Sequence, residues 1–323
     1  MSSPGIAWLK DKPHLLERFF SRPLPFDHFV IGYCWIIIIL TVNFARPLAE
    51  YSDLLLFHAG VIVLAFALAH LARSEANRFV MFFRLLYPAL IMIFFYRFSG
   101  KLVGVIVPQF FDAQVIGLEQ AVFGVEPTIW LDQHLSVLLT EVMSAGYISY
   151  YLLISGLALA LFFGRRDDEI KRFMTATCAT FFMSYIVFIL YPVEGPRFHL
   201  AGVYQNQIDG IILRPLVESV INGVAFRGGA MPSSHVAEAV VVLLFALRNY
   251  RRRAYFLIPV VVGLAIGTIY GRFHYVTDIV VGAAAGAIIY WMTIKLYPKR
   301  PEVSQEEILT DFYQKRRYVS NSF

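Results

Sequence analysis

The sequence predicts an all-α integral membrane protein, a helical bundle of about eight transmembrane helices whose apolar runs each approach the length that crosses a bilayer. Three observations carry this. Of 323 residues, 58% are hydrophobic and only 16% are charged, where a soluble chain has about 25% charged residues. The apolar residues gather in runs close to the roughly 20 residues needed for a span. The basic residues between runs concentrate on alternate connections, the bias that marks the cytoplasmic side.

Residues 1–27 mix Trp8, Phe19, Phe20 and Phe26 with Lys10, Lys12, Arg18 and Arg22. That pattern suits a segment lying on the membrane surface, and it lacks the short apolar core and small-residue cleavage site of a signal peptide. Spans are expected at 28–46, 53–72 and 79–99. Arg84 falls one turn inside the third, where a long cationic side chain is expected to snorkel to the interface. From 100 to 142, Gly, Pro and acids such as Asp112, Glu119, Glu126 and Asp132 interrupt the apolar pattern. Short amphipathic helices along the interface are expected there, partly roofing a site. Spans at 143–164 and 172–191, a long polar loop at 192–230, and spans at 232–248, 254–270 and 275–296 complete the order. This divides the chain into an N-terminal segment with two accessory helices (1–78), a membrane core (79–297) and a cytoplasmic tail (298–323).

Net charge is +5. It decorates helix ends, so no nucleic-acid partner is expected. With eight spans and an inside N-terminus, of the 28 Lys and Arg residues only Arg46, Arg97, Lys101, Arg197, Arg214, Arg227 and Arg272 fall in outside segments. Both termini are therefore expected in the cytoplasm, with the loops bearing Arg197, His235 and His274 on the extracytoplasmic side. A bacterial inner membrane is the expected location. Cys34 and Cys178 lie inside apolar spans and read as small core residues, not as a disulfide or metal site.

The polar residues of the last third carry the chemistry. His274 stands in a short turn between two spans, and Asp278 follows four residues on, where positions i and i+4 share a helix face. A carboxylate there can fix one imidazole nitrogen and leave the other bare as a nucleophile; the plainer reading is a capping Asp beside a satisfied His. His235 follows Gly228-Gly-Ala-Met-Pro-Ser-Ser at the start of the next-to-last hairpin. Ser233 and Ser234 then sit at a helix N-terminus, a natural seat for phosphate; the plainer reading is a serine cap. Arg197, in Glu194-Gly-Pro-Arg-Phe-His199, offers fork-shaped donors suited to phosphate oxygens, or else pairs with Glu194. Arg272 is a second candidate donor or a plain interfacial cation. His199 and Glu238 are candidates for a substrate headgroup, or bond neighbouring helices. Two histidines, an aspartate and an arginine on one face fit phosphoryl transfer: one imidazole attacks phosphorus and the other protonates the leaving oxygen.

Pro232-Ser-Ser-His235 and His274-Tyr-Val-Thr-Asp278, with Arg197 upstream, resemble the signature motifs of the type 2 phosphatidic acid phosphatase (PAP2) superfamily. The resemblance implies a six-helix core over about 79–296, His274 as the nucleophile forming a phosphohistidine, Asp278 as its orienting partner and His235 as general acid. It places phosphate on Arg197, Arg272 and the amides near Ser233 and Ser234, and implies no cofactor and no metal. Leu190, Phe198, Ser234 and Thr268 stand where the family pattern has Lys, Pro, Gly and Arg. These departures are similar to the inositol phosphorylceramide synthase and sphingomyelin synthase branch, which transfers a headgroup to a lipid alcohol. The expected function is hydrolysis of a lipid phosphate at the extracytoplasmic face through a phosphohistidine, with headgroup transfer through the same histidines as the alternative. A non-catalytic lipid binder or transporter, and an intramembrane protease using Ser233 or Ser234, are the remaining readings.

Overall fold

The computed structural model describes residues 23–71 and 78–298, and within them the protein is helical. The elements are α1 (Pro25–Phe44), α2 (Ser52–Leu71), α3 (Arg78–Gly100), α4 (Asp112–Phe123), α5 (Pro127–Asp132), α6 (Val137–Phe163), α7 (Asp167–Leu190), the single turn α8 (Pro196–His199), α9 (Leu213–Val224), α10 (Ser234–Tyr250), α11 (Leu257–Tyr270) and α12 (Val276–Leu296). One isolated parallel bridge, Val193 to Gly229, is the only extended pairing among the described residues. Residues 1–22 of the expected surface segment (1–27) and 299–323 of the expected tail (298–323) lie outside the described residues, whereas residues 25–27 open α1 with Phe26 buried instead of lying on a surface.

Among the described residues, six helices are long and apolar enough to cross a membrane: α1, Leu48–Leu71 (α2 with its leading 3-10 turn), α3, α6, α7 and α12. The other two expected spans form shorter helices of 17 residues (α10) and 14 residues (α11). At 1.5 Å per residue, 14 residues cover about 21 Å, less than a hydrocarbon core of about 30 Å. Both helices have one end at the candidate site: His235 lies in the first turn of α10, and His274 follows the end of α11. The amphipathic segments expected at 100–142 are α4 and α5. The region 192–230, read from sequence as a polar loop, instead contains α9, whose Val217 and Ile221 are buried one turn apart.

α7 is the central strut. It packs against α1, α3, α6, α10 and α12, and most of its length is buried. Phe181, Phe182, Tyr185 and Phe188 lie on its core-facing surface. Cys34 and Cys178 are free and buried, one on α1 and one on α7. Small residues let the helices around the site approach closely. A Cβ on Gly282 of α12 would stand 2.5 Å from the Ser233 carbonyl oxygen, and one on Gly286 would stand 2.2 Å from that of Ala237 on α10. Gly146 of α6 meets the Gly263 backbone of α11 at 2.5 Å in the same way.

Arg84 does not snorkel. Its guanidinium is buried and pairs with Asp27 of α1, with Nη1 2.8 Å from Oδ1. The Tyr87 hydroxyl donates to the same carboxylate at 2.6 Å, and Asp27 also accepts the Leu24 amide at 2.6 Å. The pair is satisfied inside the protein, by the Tyr87 hydroxyl and the Leu24 amide. This polar clamp fastens the first accessory helix to the rest of the bundle.

Removing one partner of a buried ion pair leaves the other charge stranded, at a cost of about 3–5 kcal/mol. Asp27→Asn should therefore lower the thermal unfolding midpoint in detergent. The double variant Asp27→Leu/Arg84→Met, which removes both charges, should recover most of the loss. An unchanged midpoint for Asp27→Asn would show that the pair does not hold α1.

Candidate active site

His235 is the second residue of α10. Ser233 caps that helix, its hydroxyl accepting the Val236 amide at 3.4 Å. His274 lies in the turn between α11 and α12, where its amide donates to the Thr268 carbonyl at 3.2 Å. A backbone hydrogen bond ties the two starts together: the Ser233 amide donates to the Asp278 carbonyl at 2.9 Å, directly over Gly282. The two imidazoles then meet edge to face, with ring centroids 5.7 Å apart.

His274 is buried, with Nδ1 3.5 Å from Asp278 Oδ2. That is ion-pair reach, longer than a hydrogen bond, as catalytic contacts often are before substrate binds. The same Asp278 oxygen accepts the Tyr275 amide at 2.9 Å, which fixes the carboxylate at the helix start. Burial pushes the His274 imidazole down to about 4, opposed in part by the Ala230 backbone. The Nδ1 side faces Asp278, and Nε2 points away from that carboxylate. His235 Nε2 lies 3.2 Å from the Tyr147 hydroxyl of α6, and its ring packs on Tyr150 at 4.5 Å.

Two acids of α4 brace this arrangement from outside the expected motifs. Asp112 accepts the Glu194 and Gly195 amides at 2.8 and 2.9 Å and the Tyr275 hydroxyl at 3.0 Å. It therefore joins the Arg197 segment to the His274 segment. Glu119, two turns further along, accepts both the amide and the hydroxyl of Thr277, at 2.6 and 2.9 Å. Burial raises its carboxyl above the usual range even though Thr277 opposes that. In the sequence both acids stand out as charges in an amphipathic segment, seven residues apart on one face, but nothing local names their partners.

Arg197, His235, His274 and Ser234 all line one cavity of about 530 Å³. From this polar end the cavity runs between α3, α6 and α7 to Phe82, Leu86, Ala158 and Leu159. From Tyr147 to Leu159 along α6 that is about 18 Å at 1.5 Å per residue. Tyr96, Tyr150, Tyr151 and Tyr185 line its middle.

Other candidate residues are placed differently. Arg272 does not line the cavity. It pairs with Asp132, donates to the Asn206 carbonyl at 2.8 Å and covers the Tyr204 ring at 3.8 Å. The Ser233 amide is taken by Asp278, so only Ser234 of the two serines is open to the cavity. Glu238 is buried one turn below His235. One of its oxygens accepts the Thr177 hydroxyl at 2.7 Å and the other has no partner among the described residues. Arg197 pairs not with Glu194 but with Glu218 of α9. Glu194 takes His199 at 3.1 Å and Arg227 at 3.4 Å. Asp112, Glu194 and His199 converge closely enough to hold a cation, but their oxygens are already engaged by amides, a tyrosine and these two bases.

The sequence model of the family described as the PAP2 superfamily matches residues 114–292, more than half of the chain. A PA-phosphatase related-family protein of Dictyostelium discoideum is 24% identical over 182 residues. The match covers 50% of this chain and 33% of that relative, so the chain spans about a third of the relative's length. No solved structure matches.

Gly282 is the point where any side chain would separate the two imidazoles. Gly282→Leu should keep its helical circular dichroism but lose turnover by about 10²-fold, the scale expected when reacting groups shift by about 1 Å. Full activity in that variant would show that the α10–α12 contact does not set the site.

Proposed function

Because the chain belongs to the PAP2 superfamily, we propose that it is a membrane lipid phosphatase that works through a phosphohistidine at the extracytoplasmic face. The observation that carries this reading is the placement of His235, His274 and Arg197 at the polar end of one deep apolar cavity. The cavity has room for an apolar tail below and charge for a phosphate above.

The reaction has two steps. His274 Nε2 attacks phosphorus, the P–N bond forms and the P–O bond to the lipid breaks. His235 takes up a proton as the anionic substrate binds beside it and gives that proton to the leaving alkoxide, releasing a lipid alcohol. Water then enters, His235 takes its proton, the hydroxide attacks phosphorus and the P–N bond breaks. Phosphate leaves and both imidazoles return to their starting state. Asp278 holds the His274 ring and stabilises the charge on it while phosphorus is attached. Arg197 and the amide of Ser234 oppose the charge on the phosphoryl oxygens. Arg272, on this reading, positions the loop through Asp132 instead of touching phosphate.

Headgroup transfer is the second reading. It is favoured by Thr177 on the cavity wall, whose hydroxyl bonds the half-satisfied Glu238 buried behind it. A lipid hydroxyl held there would replace water in the second step.

Purified protein incubated with lipid phosphates, with and without lipid alcohols, should release free phosphate; a new phosphodiester formed in place of phosphate would establish transfer. His274→Ala should abolish turnover, and His235→Ala should lose about 10²–10⁴-fold, the usual worth of a general acid. If His274→Ala still turns over, the phosphohistidine is wrong.

A pH profile tests the nucleophile separately. His274 attacks only when unprotonated, and burial pushes its imidazole down to about 4. It is therefore neutral above that value, and the acid limb of kcat/KM should fall well below the ordinary histidine range. An acid limb near 6.5 would place the nucleophile in water-like surroundings, contrary to its burial.

A further inference from the structure

Arg197 is the guanidinium assigned above to the phosphate, yet its terminal nitrogens already hold an anion. Nη1 lies 3.0 Å from Glu218 Oε1, and Nη2 lies 2.6 Å from Oε2 and 3.0 Å from Asn222 Oδ1. Arg214, one turn earlier on α9, reaches the same Glu218 carboxylate. Both guanidiniums lie against one ring, Phe273, at 5.8 and 5.5 Å from its centroid. Phe273 immediately precedes His274 and packs at 4.7 Å on Tyr147, the residue bonded to His235.

The start of α9 is fastened independently of this cluster. Glu141 of α6 accepts the Ile211 and Leu213 amides, each at 2.8 Å. Arg214 is buried behind Phe273 without itself lining the cavity, and its Nε has no acceptor among the described residues. Glu218 is about a quarter exposed, so its side chain has a way out to solvent. Burial raises its carboxyl, but the hydrogen bond from Arg197 and the charge of Arg214 outweigh that and hold it below the usual carboxylate range. Two arginines against one carboxylate leave one unbalanced positive charge beside the cavity mouth.

We propose that Arg197 and Arg214 form a paired-guanidinium site for the phosphate group of the substrate, and that Glu218 is an internal anion which the phosphate displaces. A carboxylate presents two oxygens to a guanidinium in the same forked pattern as a phosphoryl group. Glu218 therefore keeps two like charges together in the free protein and leaves when a dianion with more oxygens arrives. The inference rests on the lipid-phosphate reading of the cavity and names Arg214, which no motif marks, as the second cation. Arg272 is committed elsewhere.

The test is calorimetric titration of inorganic phosphate into the full-length protein in detergent, with each variant checked by thermal unfolding. Glu218→Gln, which loses the competing charge, should bind phosphate about tenfold more tightly, and Arg214→Ala should bind about tenfold more weakly, each a change of about 1.4 kcal/mol. Arg214→Lys should fall between wild type and Arg214→Ala, and Arg272→Ala should match wild type. If Arg214→Ala does not fold, Arg214→Lys and Glu218→Gln decide the matter. Phosphate binding by Glu218→Gln no tighter than wild type, by Arg214→Ala or Arg214→Lys as tight as wild type, or not at all by wild type, overturns the proposal. Because the readout is binding, the predicted pattern in a protein that cleaves no lipid phosphate would refute the phosphatase reading and leave the anion site standing.

Discussion

The site depends on one short contact, the Ser233 amide donating to the Asp278 carbonyl across Gly282. His235 lies in the first turn of α10 and His274 in the turn before α12, 39 residues apart in sequence, and neither helix start has a local reason to face the other. The hydrogen bond sets the height of α10 against α12. The missing side chain of Gly282 sets their distance. With both in place the imidazoles stand 5.7 Å apart, edge to face. In lipid there is no hydrophobic force to press helices together, so close packing of small residues and interhelical hydrogen bonds have to do it.

Around that contact the protein builds polar braces out of loops and short helices. Asp112 and Glu119 on α4 take amides and hydroxyls from the Glu194–Gly195 turn and from the start of α12. Glu141 does the same for the start of α9. Each is a carboxylate satisfying the unpaired N–H groups that a turn or helix start exposes. These acids look scattered in the sequence because their partners lie some 70 to 160 residues away.

The cavity divides its labour by depth. Its outer end is charged and hydrogen-bonded, and its inner end is lined by Phe82, Leu86 and Leu159. Tyrosines occupy the boundary, where a ring that is apolar along its body and polar at its tip fits both neighbours. The accessory helix α1 stands apart from this cavity. The buried Asp27–Arg84–Tyr87 cluster joins it to α3, a position better suited to holding the bundle than to chemistry.

Much of this was legible from the chain alone. Run length and composition determined a helical membrane bundle, because the length of an apolar run is a local property matched to bilayer thickness. The spacing of His274 and Asp278 determined that they come within reach of each other at the start of α12, because four residues make about one turn, although His274 itself lies just before the helix. The apolar period of α9 was also present at Leu213, Leu216, Val217, Val220, Ile221 and Val224, though hidden between polar stretches. Only the tertiary structure decided the partners of the charges. Arg84 met Asp27 instead of the interface, Arg197 met Glu218 instead of Glu194, and Arg272 met Asp132 away from the cavity. A charge finds its partner by where helices are packed, and that packing was set by glycines and backbone groups whose contacts no local spacing reveals.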